Sequence, residues 1–348
     1  MQIKDLGEFG VIELLNTMIV EQRSGADNAA SFAYRLLVDT GDDTAAWSTG
    51  EGTELFTTDT LVEGVHFTRS TTPWQDLGWK SLASNISDIA AMGGLPLYAL
   101  VTLGLPPETE VEDVRELYRG MLEISNKYGA ALVGGDLVRS PVVFITVSLT
   151  GVHSSQPMLR TAARDGDQIA VTGLLGGSGG GLRLLLEDGQ VEYGRVSNPP
   201  LRGGSPEAKD YLRRCHRRPE PAVAQGRILV DAGVKTAMDV SDGMADDLAK
   251  LCLASGLAAR IHADRLPVHP LLKQAFPGDF IDLALYGGED YVLLFTAAPG
   301  LMKQVIRLLP EEAAVVGEIL TGEPGRVSVV DATGEERAVT RRGWDHFE

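Results

Sequence analysis

The sequence has 348 residues, of which 44% are hydrophobic and 23% are charged, and such values are typical of a folded globular protein. Its 48 acidic and 31 basic residues give a net charge of −17, which argues against nucleic acid or an anionic membrane as the main partner. The length is sufficient for two domains, each with its own core.

Two cysteines, Cys215 and Cys252, fit neither a disulfide framework nor a zinc cluster, and we interpret them as buried apolar residues of a reducing compartment. The N-terminus lacks the apolar core and cleavage site of a signal peptide. The longest apolar run, residues 89–105, is interrupted by two glycines and a proline, so it reads as a helix end, a turn and a strand. We therefore predict a cytoplasmic protein with no membrane partner.

The first predicted elements are an amphipathic helix over 9–19 and a mobile polar loop over 24–28. The next stretch, residues 41–67, places carboxylates and hydroxyls around one predicted strand, which covers 55–58 and ends in Asp59. Hard cations such as Mg²⁺ prefer these oxygen ligands. The residues that suit this chemistry are Asp42, Asp43, Thr57, Thr58 and Asp59. The alternative is a polar turn followed by an ordinary strand end.

A helix is predicted from Thr72, as N-cap before Pro73, to about Met92, where two glycines stop it. Leu82, Ile86, Ile89 and Ala90 form one buried stripe of this helix, whereas Ser81, Asn85 and Asp88 form another. Asp88 is therefore predicted to point away from the core, and by pattern alone it fits a solvated helix face equally well.

Residues 98–105 are predicted to form a strand, and a capped helix follows from Thr109 to about Gly129. Two β-rich runs, 130–133 and 142–150, then bracket Gly134, Gly135 and Asp136. Strands that alternate with helices indicate an α/β domain. A glycine beside an aspartate at a strand end allows backbone amides to approach a phosphate while the carboxylate holds a metal, although a tight turn explains the tripeptide as well.

A second unit begins near Gly151, with a strand over 167–172 and a glycine-rich segment over 173–182. This segment is neither a Walker A loop nor a dinucleotide fingerprint, because the terminal Lys-Ser/Thr and the required glycine spacing are missing. Its turn at 176–181 either binds phosphate through backbone amides or permits close packing of a helix on a sheet. Residues 194–206 are predicted to form an exposed loop.

A strand over 235–240 leads through Ser241 into a helix over 243–254, and Asp239 and Asp242 lie three residues apart across this turn. By itself, Ser-Asp-Gly is often only a helix N-cap. Farther along, the segment 287–291 carries an acidic pair ahead of an apolar strand, where it would also be stable as a solvated pair.

Four motifs in this order resemble the thiamine-monophosphate kinases, of the superfamily that includes aminoimidazole ribonucleotide synthetase. They are SNISDIAAMGG (84–94), GGDLVRSP (134–141), MDVSDGMADDL (238–248) and GGEDYVLLFT (287–296). The similarity extends from GEFGVI (7–12) to GWDHFE (343–348), which is nearly the whole chain.

The resemblance implies an α/β (α+β) protein with the two-domain fold of aminoimidazole ribonucleotide synthetase, in which mixed sheets carry helices packed on one face of each. Residues 1–150 would form the domain for metal and ATP binding and for dimerisation, and residues 151–348 would complete the nucleotide and substrate site. The implied activity is Mg²⁺-assisted, ATP-dependent phosphorylation of thiamine monophosphate to thiamine diphosphate, the final step of thiamine diphosphate biosynthesis, in a homodimer.

The same resemblance assigns roles to individual residues. The implied catalytic residues are Asp43, Asp59, Asp88, Asp136 and Asp239. The implied ligands of several Mg²⁺ ions are Asp43, Thr57, Thr58, Asp59, Asp88, Asp136, Asp239 and Asp242. The residues implied to bind ATP are Gly135, Asp136, Arg160, Ser241 and Tyr118, and those implied to bind thiamine monophosphate are His66, Glu289 and Trp344.

Two positions depart from the family pattern. Met244 replaces a leucine, which is a volume-conserving change. Ala222 occupies a position that the family often fills with arginine, so Arg218 or Arg227 would have to substitute for it. An aminoimidazole ribonucleotide synthetase and a regulator that binds nucleotide without turnover remain as alternative functions.

Overall fold

The structure is a computed structural model that describes residues 35–38, 42–48, 52–189 and 204–339. Its elements form two sheets with helices packed against them, which confirms the predicted fold class. Within these residues, no helix is both long and apolar enough to cross a bilayer. The predictions for 9–19, for 24–28, for most of 194–206 and for Trp344 lie outside the described residues.

The first sheet has six strands in the order β1-β2-β3-β6-β4-β5, and all neighbours are antiparallel except β4 and β5. Its strands are β1 (Arg35–Val38), β2 (Ala45–Ser48), β3 (Thr53–Val62), β4 (Leu95–Leu105), β5 (Ala131–Arg139) and β6 (Phe144–His153). Because β6 belongs to this sheet, the sheet continues past the predicted boundary at residue 150. The division into 1–150 and 151–348 stays a prediction.

Helices α1 (Trp74–Ala91) and α2 (Val111–Tyr128) cover one face of this sheet. They approach each other closely at two glycines. A Cβ on Gly78 would lie 1.8 Å from the carbonyl oxygen of Leu117, and a Cβ on Gly120 would lie 1.8 Å from that of Gln75. Since α1 is held between the sheet, α2 and the second half, its predicted polar stripe is buried too, and Ser81 and Asn85 are almost inaccessible.

Several predicted element boundaries were wrong. The cap of α1 is Pro73 and that of α2 is Glu110, and neither cap makes a side-chain hydrogen bond, so Thr72 and Thr109 are not caps. Strand β3 does not end at Asp59, because its pairing with β6 continues to Val62. The Gly134-Gly135-Asp136 tripeptide lies inside β5 rather than at a strand end, because parallel pairing with β4 carries the strand to Arg139.

The second sheet has seven strands in the order β13-β12-β9-β11-β7-β10-β8. They are β7 (Gln168–Val171), β8 (Thr236–Asp239), β9 (Ala258–His262), β10 (Leu293–Ala297), β11 (Ala314–Leu320), β12 (Val327–Val330) and β13 (Glu336–Ala338). The helices of this half are α3 (Gly177–Gly189), α4 (Pro206–Arg217), α5 (Val223–Asp231), α6 (Met244–Ser255), α7 (Pro270–Ala275), α8 (Phe280–Tyr286) and α9 (Pro299–Val305).

Side chains of β10 alternate between two cores. Leu293 and Phe295 join the core that also contains α1, whereas Leu294 joins the core of the second half. Helix α1 itself contacts β8 and α5. The C-terminal part of α1 and the end of β8 therefore meet at the junction of the two halves, and this junction carries the acidic residues described next.

Candidate active site

Three carboxylates from separate parts of the chain converge at the junction. Asp43 precedes β2, Asp88 lies on α1, and Asp239 ends β8. One carboxylate oxygen of each lies within 4.8 Å of the others. The structure thus brings together three of the predicted metal ligands, and hard oxygen donors at this spacing are the chemistry that Mg²⁺ requires.

Hydrogen bonds orient two of these carboxylates. The Thr57 hydroxyl donates to Oδ2 of Asp88 at 2.5 Å, and the Ser87 hydroxyl donates to Oδ2 of Asp239 at 2.7 Å. The first bond joins β3 to α1, and the second joins α1 to the second half. Each carboxylate is therefore held in one direction by a neighbouring element.

Strand alternation separates the threonines of β3. Thr57 and Asp59 lie on the face covered by α1, whereas Thr58 lies on the open face. The Thr58 hydroxyl donates to the carbonyl of Val147 at 2.9 Å. Because successive side chains of a strand point to opposite faces, the Thr58 side chain does not join the cluster, and its role as a metal ligand stays a prediction.

Two carboxyl groups of the cluster, those of Asp88 and Asp239, resist ionisation. Burial, followed by the charges of neighbouring aspartates, raises the pKa of Asp88 and Asp239 well above the ordinary value. Burial also raises the pKa of Asp59, and nearby Asp242 adds to this effect. The pKa of Asp42 is raised to about 6 by burial and by Asp43. Crowded buried carboxylates require a cation for full ionisation, so the charge of this site fits a metal.

Arg160 supplies positive charge at one edge of the cluster. Its guanidinium group contacts both carboxylate oxygens of Asp43, with Nε 3.2 Å from Oδ2. Its backbone N–H donates to Oδ2 of Asp42 at 3.2 Å, and the Ser255 hydroxyl donates to its carbonyl at 2.7 Å. A planar guanidinium held in this way is suited to bind phosphate oxygens.

A second acidic group surrounds the turn after β8. Asp247 accepts hydrogen bonds from the backbone N–H groups of Ser241, Asp242 and Gly243 at 3.0, 3.0 and 3.1 Å. Lys250 pairs with both Asp242 and Asp247. The sequence analysis missed Asp247, although an aspartate in the first turn of a helix is a recognisable signal for capping. Asp242 is thus bound to Lys250, next to the three-carboxylate cluster rather than within it.

Other predicted residues lie apart from the cluster. Asp136 is exposed on the edge strand β5, three strands from β3, which is about 14 Å across a sheet. Its neighbour Gly135 is required there, because a Cβ would lie 1.9 Å from the carbonyl oxygen of Val101. Tyr118 packs against the core of the first half. The structure therefore does not bring Asp136 or Tyr118 to Asp43, Asp88 and Asp239 in this chain.

The arginines proposed to replace the one absent at Ala222 are engaged elsewhere. Arg218 stacks on Trp79, with 4.4 Å between the guanidinium carbon and the ring centroid, and also pairs with Glu123. Arg227 donates to the carbonyl of Gly93 at 3.0 Å. These contacts favour neither residue as a substitute.

The glycine-rich turn already has an anionic partner. Oδ2 and Oδ1 of Asp290 accept hydrogen bonds from the backbone N–H groups of Gly176 at 2.5 Å and Ser178 at 3.0 Å. Burial raises the pKa of Asp290 to about 7. A Cβ on Gly181 would lie 2.1 Å from the carbonyl oxygen of Leu212 on α4. The structure thus supports close helix packing, with a carboxylate rather than a phosphate at the start of α3.

Glu289 and His66 lie near each other beside the cluster. The side chain of Glu289 forms an ion pair with Lys80, and its Oε2 lies 3.4 Å from Nδ1 of His216. His66 is close enough to influence the pKa of Glu289. Nδ1 of His66 accepts a hydrogen bond from the backbone N–H of Val62 at 3.0 Å. The sequence analysis missed Lys80 and His216, although a lysine within the apolar stretch of α1 signals a buried ion pair.

Comparison with known proteins finds two matching family models and relatives that extend over the full length of the chain. The N-terminal domain model of AIR synthase related proteins matches residues 41–153, and the C-terminal domain model matches residues 164–330. The thiamine-monophosphate kinase of Synechococcus elongatus is 33% identical over 99% of this chain and 98% of its own length. That of Aquifex aeolicus is 33% identical over the full length of both chains.

A solved structure described as AaThiL complexed with AMPPCP and TMP has the same fold. It matches with a TM-score of 0.82 and 33% sequence identity, and the match covers 99% of each chain. The chain is therefore similar, over its whole length, to a protein that has been observed with these two ligands.

Proposed function

Since the chain belongs to the thiamine-monophosphate kinases of the AIR synthase related family, we propose that it transfers the γ-phosphoryl group of ATP to thiamine monophosphate and forms thiamine diphosphate. The solved relative with AMPPCP and TMP supports both substrates. The observation that carries the proposal is the cluster of Asp43, Asp88 and Asp239, which unites residues of both halves beside Arg160.

These residues fit bound magnesium. The cluster offers carboxylate oxygens within 4.8 Å of each other, and Thr57 and Asp59 extend it along β3. Bound Mg²⁺ would neutralise the phosphate charge of ATP and polarise the group that is transferred. On the chain itself, Asp43, Asp88 and Asp239 would hold the ions, with Asp59 and Asp242 next to them. The ligand roles of Asp136 and Thr58 remain part of the proposal only as family features.

The reaction requires no general base from the protein. The acceptor is a phosphate oxygen that already carries negative charge, so the chain has to align two polyanions and offset their charge. Arg160 is placed to do this for ATP, because its guanidinium group borders the cluster. Ser241 lies in the turn after Asp239, where it would contact the nucleotide, and Gly135 and Tyr118 would belong to the nucleotide site only through the family resemblance.

The acceptor side of the proposed site is formed by Glu289 and His66. Glu289 contacts Lys80 and lies near His66. It is also close to the carboxylate cluster, since the charges of Glu289, Asp59 and Asp239 all act on the buried hydroxyl of Tyr291. Trp344 would cover the thiamine rings through a cation–π contact with the thiazolium. This assignment of Trp344 rests on the family resemblance alone.

We extend the proposal to a homodimer formed through the open face of the first sheet. This face carries exposed apolar side chains on four adjacent strands: Phe56, Tyr98, Leu100, Val133 and Val152. Contiguous apolar surface of this kind marks an interaction site. A cytoplasmic location is also part of the proposal, because the free thiols of Cys215 and Cys252 suit a reducing compartment.

A coupled assay of ADP release tests the proposed function. With ATP, Mg²⁺ and thiamine monophosphate, we expect steady turnover and formation of thiamine diphosphate. Formylglycinamidine ribonucleotide, the substrate expected for an aminoimidazole ribonucleotide synthetase, should give no ADP. Binding of ATP without turnover on thiamine monophosphate would instead identify a nucleotide-binding regulator and contradict the proposal.

A further inference from the structure

Lys80 is a buried cation that links the two halves beside the proposed acceptor site. It lies on α1 and is only 1% exposed. Its Nζ is 2.8 Å from Oε1 and 2.9 Å from Oε2 of Glu289, which belongs to the second half. Because a lysine is almost never fully buried without a partner, this ion pair accounts for the position of the ammonium group.

His216 on α4 fixes the direction of Lys80. Its Nε2 lies 3.1 Å from Nζ of Lys80, and its Nδ1 lies 3.0 Å from the hydroxyl oxygen of Ser178. An ammonium group only donates hydrogen bonds, so Nε2 must be the acceptor and Nδ1 must carry the proton. Burial, followed by the charge of Lys80, lowers the pKa of His216 to about 3, so the imidazole is neutral at physiological pH.

The main chain of Glu289 is fixed independently of its side chain. Its φ of +64° is uncommon for a residue other than glycine, and its N–H donates to the carbonyl of Ser241 at 2.8 Å. A Cβ on Gly288 would lie 2.5 Å from the same carbonyl oxygen. Glu289 is thus attached to the turn that carries Ser241, and the remaining freedom of its side chain is restricted by Lys80.

We propose that Lys80 is a positioning residue for the binding of thiamine monophosphate, because it keeps Glu289 ionised and in one orientation toward this substrate. The inference rests on the proposed function, which supplies the substrate that Glu289 would contact. In this arrangement, Lys80 does not touch the reacting atoms. It offsets one negative charge, so that Glu289 meets the substrate as a fixed hydrogen-bond acceptor whose charge is already balanced.

Removal of Lys80 changes the ionisation of Glu289. Burial alone would raise the pKa of Glu289, but Lys80, the largest opposing influence, brings it below the ordinary value. Its neighbours Asp290 and Tyr291 are acid groups and do not replace a cation. Without Lys80, the pKa of Glu289 would therefore rise, and binding of thiamine monophosphate would weaken as the pH falls.

A double-mutant cycle tests this role with steady-state kinetics for both substrates. We expect Lys80→Met to raise KM for thiamine monophosphate by about tenfold and to change KM for ATP less than about twofold. Glu289→Gln should have a similar effect. The double variant should be no worse than Glu289→Gln alone, because residues that act through each other are not additive.

The pH dependence supplies a second readout. KM for thiamine monophosphate should rise more steeply from pH 8 to pH 6 in Lys80→Met than in the wild type or in the double variant. Lys127→Met removes an exposed lysine from α2 and serves as the matched control, with unchanged kinetics.

The outcomes separate this inference from the proposed function. Lack of wild-type turnover on thiamine monophosphate would overturn both. Wild-type turnover combined with an unchanged KM in Lys80→Met, or with multiplicative effects in the double variant, would overturn only the role of Lys80. If Lys80→Met does not fold, Glu289→Gln is compared with the double variant, which contains no unpaired buried charge. Equal KM values then support the role, and a further rise in KM contradicts it.

Discussion

The Ser87 hydroxyl lies 2.7 Å from Oδ2 of Asp239, although the two residues are 152 positions apart. The bond joins α1 of the first half to the last residue of β8 in the second half. It also places Asp239 beside Asp88, which directly follows Ser87 on α1. The carboxylate cluster therefore depends on the relative position of the two halves, and changes within it should affect function more than folding.

Asp88→Asn is expected to abolish turnover while it leaves the fold intact, and Asp59→Asn should behave alike. Because the pKa of Asp88 is raised, its ionisation destabilises the metal-free folded state, and this cost grows as the pH rises above the unfolded value of 3.8. The amide should therefore raise the metal-free melting temperature by ~3 °C at pH 8 and by less at pH 5. Kinetics and thermal melts measure both effects.

The control for this substitution is Asp282→Asn, which alters an exposed aspartate on α8. It should change neither turnover nor melting temperature. Near-native activity of Asp88→Asn or Asp59→Asn at low Mg²⁺ would mean that the altered residue is not a metal ligand.

Mg²⁺ is expected to stabilise the folded protein, and more strongly at pH 8 than at pH 6. Metal binding must displace protons from the carboxyl groups whose pKa is raised, among them Asp42, Asp59, Asp88 and Asp239. Thermal melts with and without EDTA and added Mg²⁺ provide the measurement. A shift that is independent of pH, or that persists in Asp88→Asn, would place the bound ions elsewhere.

Arg160→Lys should raise KM for ATP by about tenfold and change KM for thiamine monophosphate much less. Lysine keeps the charge but loses the planar fork that contacts both oxygens of Asp43 and is suited to phosphate. Arg164→Lys, at an exposed position of the same segment, is the matched control and should leave both constants unchanged. If KM and kcat with ATP stay at wild-type values in Arg160→Lys, Arg160 does not bind the nucleotide.

Leu100→Glu is expected to convert the proposed dimer into monomers, because it introduces a charge into the apolar open face of the first sheet. Analytical ultracentrifugation measures the change. Leu308→Glu places the same charge at an exposed leucine after α9 and should leave the mass unchanged. A wild type that sediments as a monomer would remove the dimer from the proposal.

Local patterns predicted the elements better than the contacts between them. The glycine signal at the end of α2 was confirmed, because Gly129 has a φ of +78° and ends the helix. Side chains alternate between the two faces of the sheet along β3, so the separation of Thr57 from Thr58 could be predicted from the sequence. The pair of Lys80 and Glu289 was not, since the two residues are 209 positions apart and only tertiary packing brings α1 to the segment 287–291. Neither was the position of Asp136, which depends on strand order.

His216→Gln tests the electrostatic state of the Lys80 network through stability. The amide oxygen of glutamine can accept from Lys80 while its nitrogen donates to Ser178, so the variant should fold.

The pKa of His216 is about 3 in the folded protein, because burial and Lys80 lower it from 6.5. Below pH 6.5 the unfolded chain binds the proton more tightly, so this histidine lowers stability as the pH falls. The free energy of unfolding of the wild type, relative to His216→Gln, should therefore fall by about 1.4 kcal/mol per pH unit from about pH 6 downward. Urea denaturation at pH 7, 6 and 5 measures this difference, and parallel pH profiles would show that His216 is not held neutral in the folded protein.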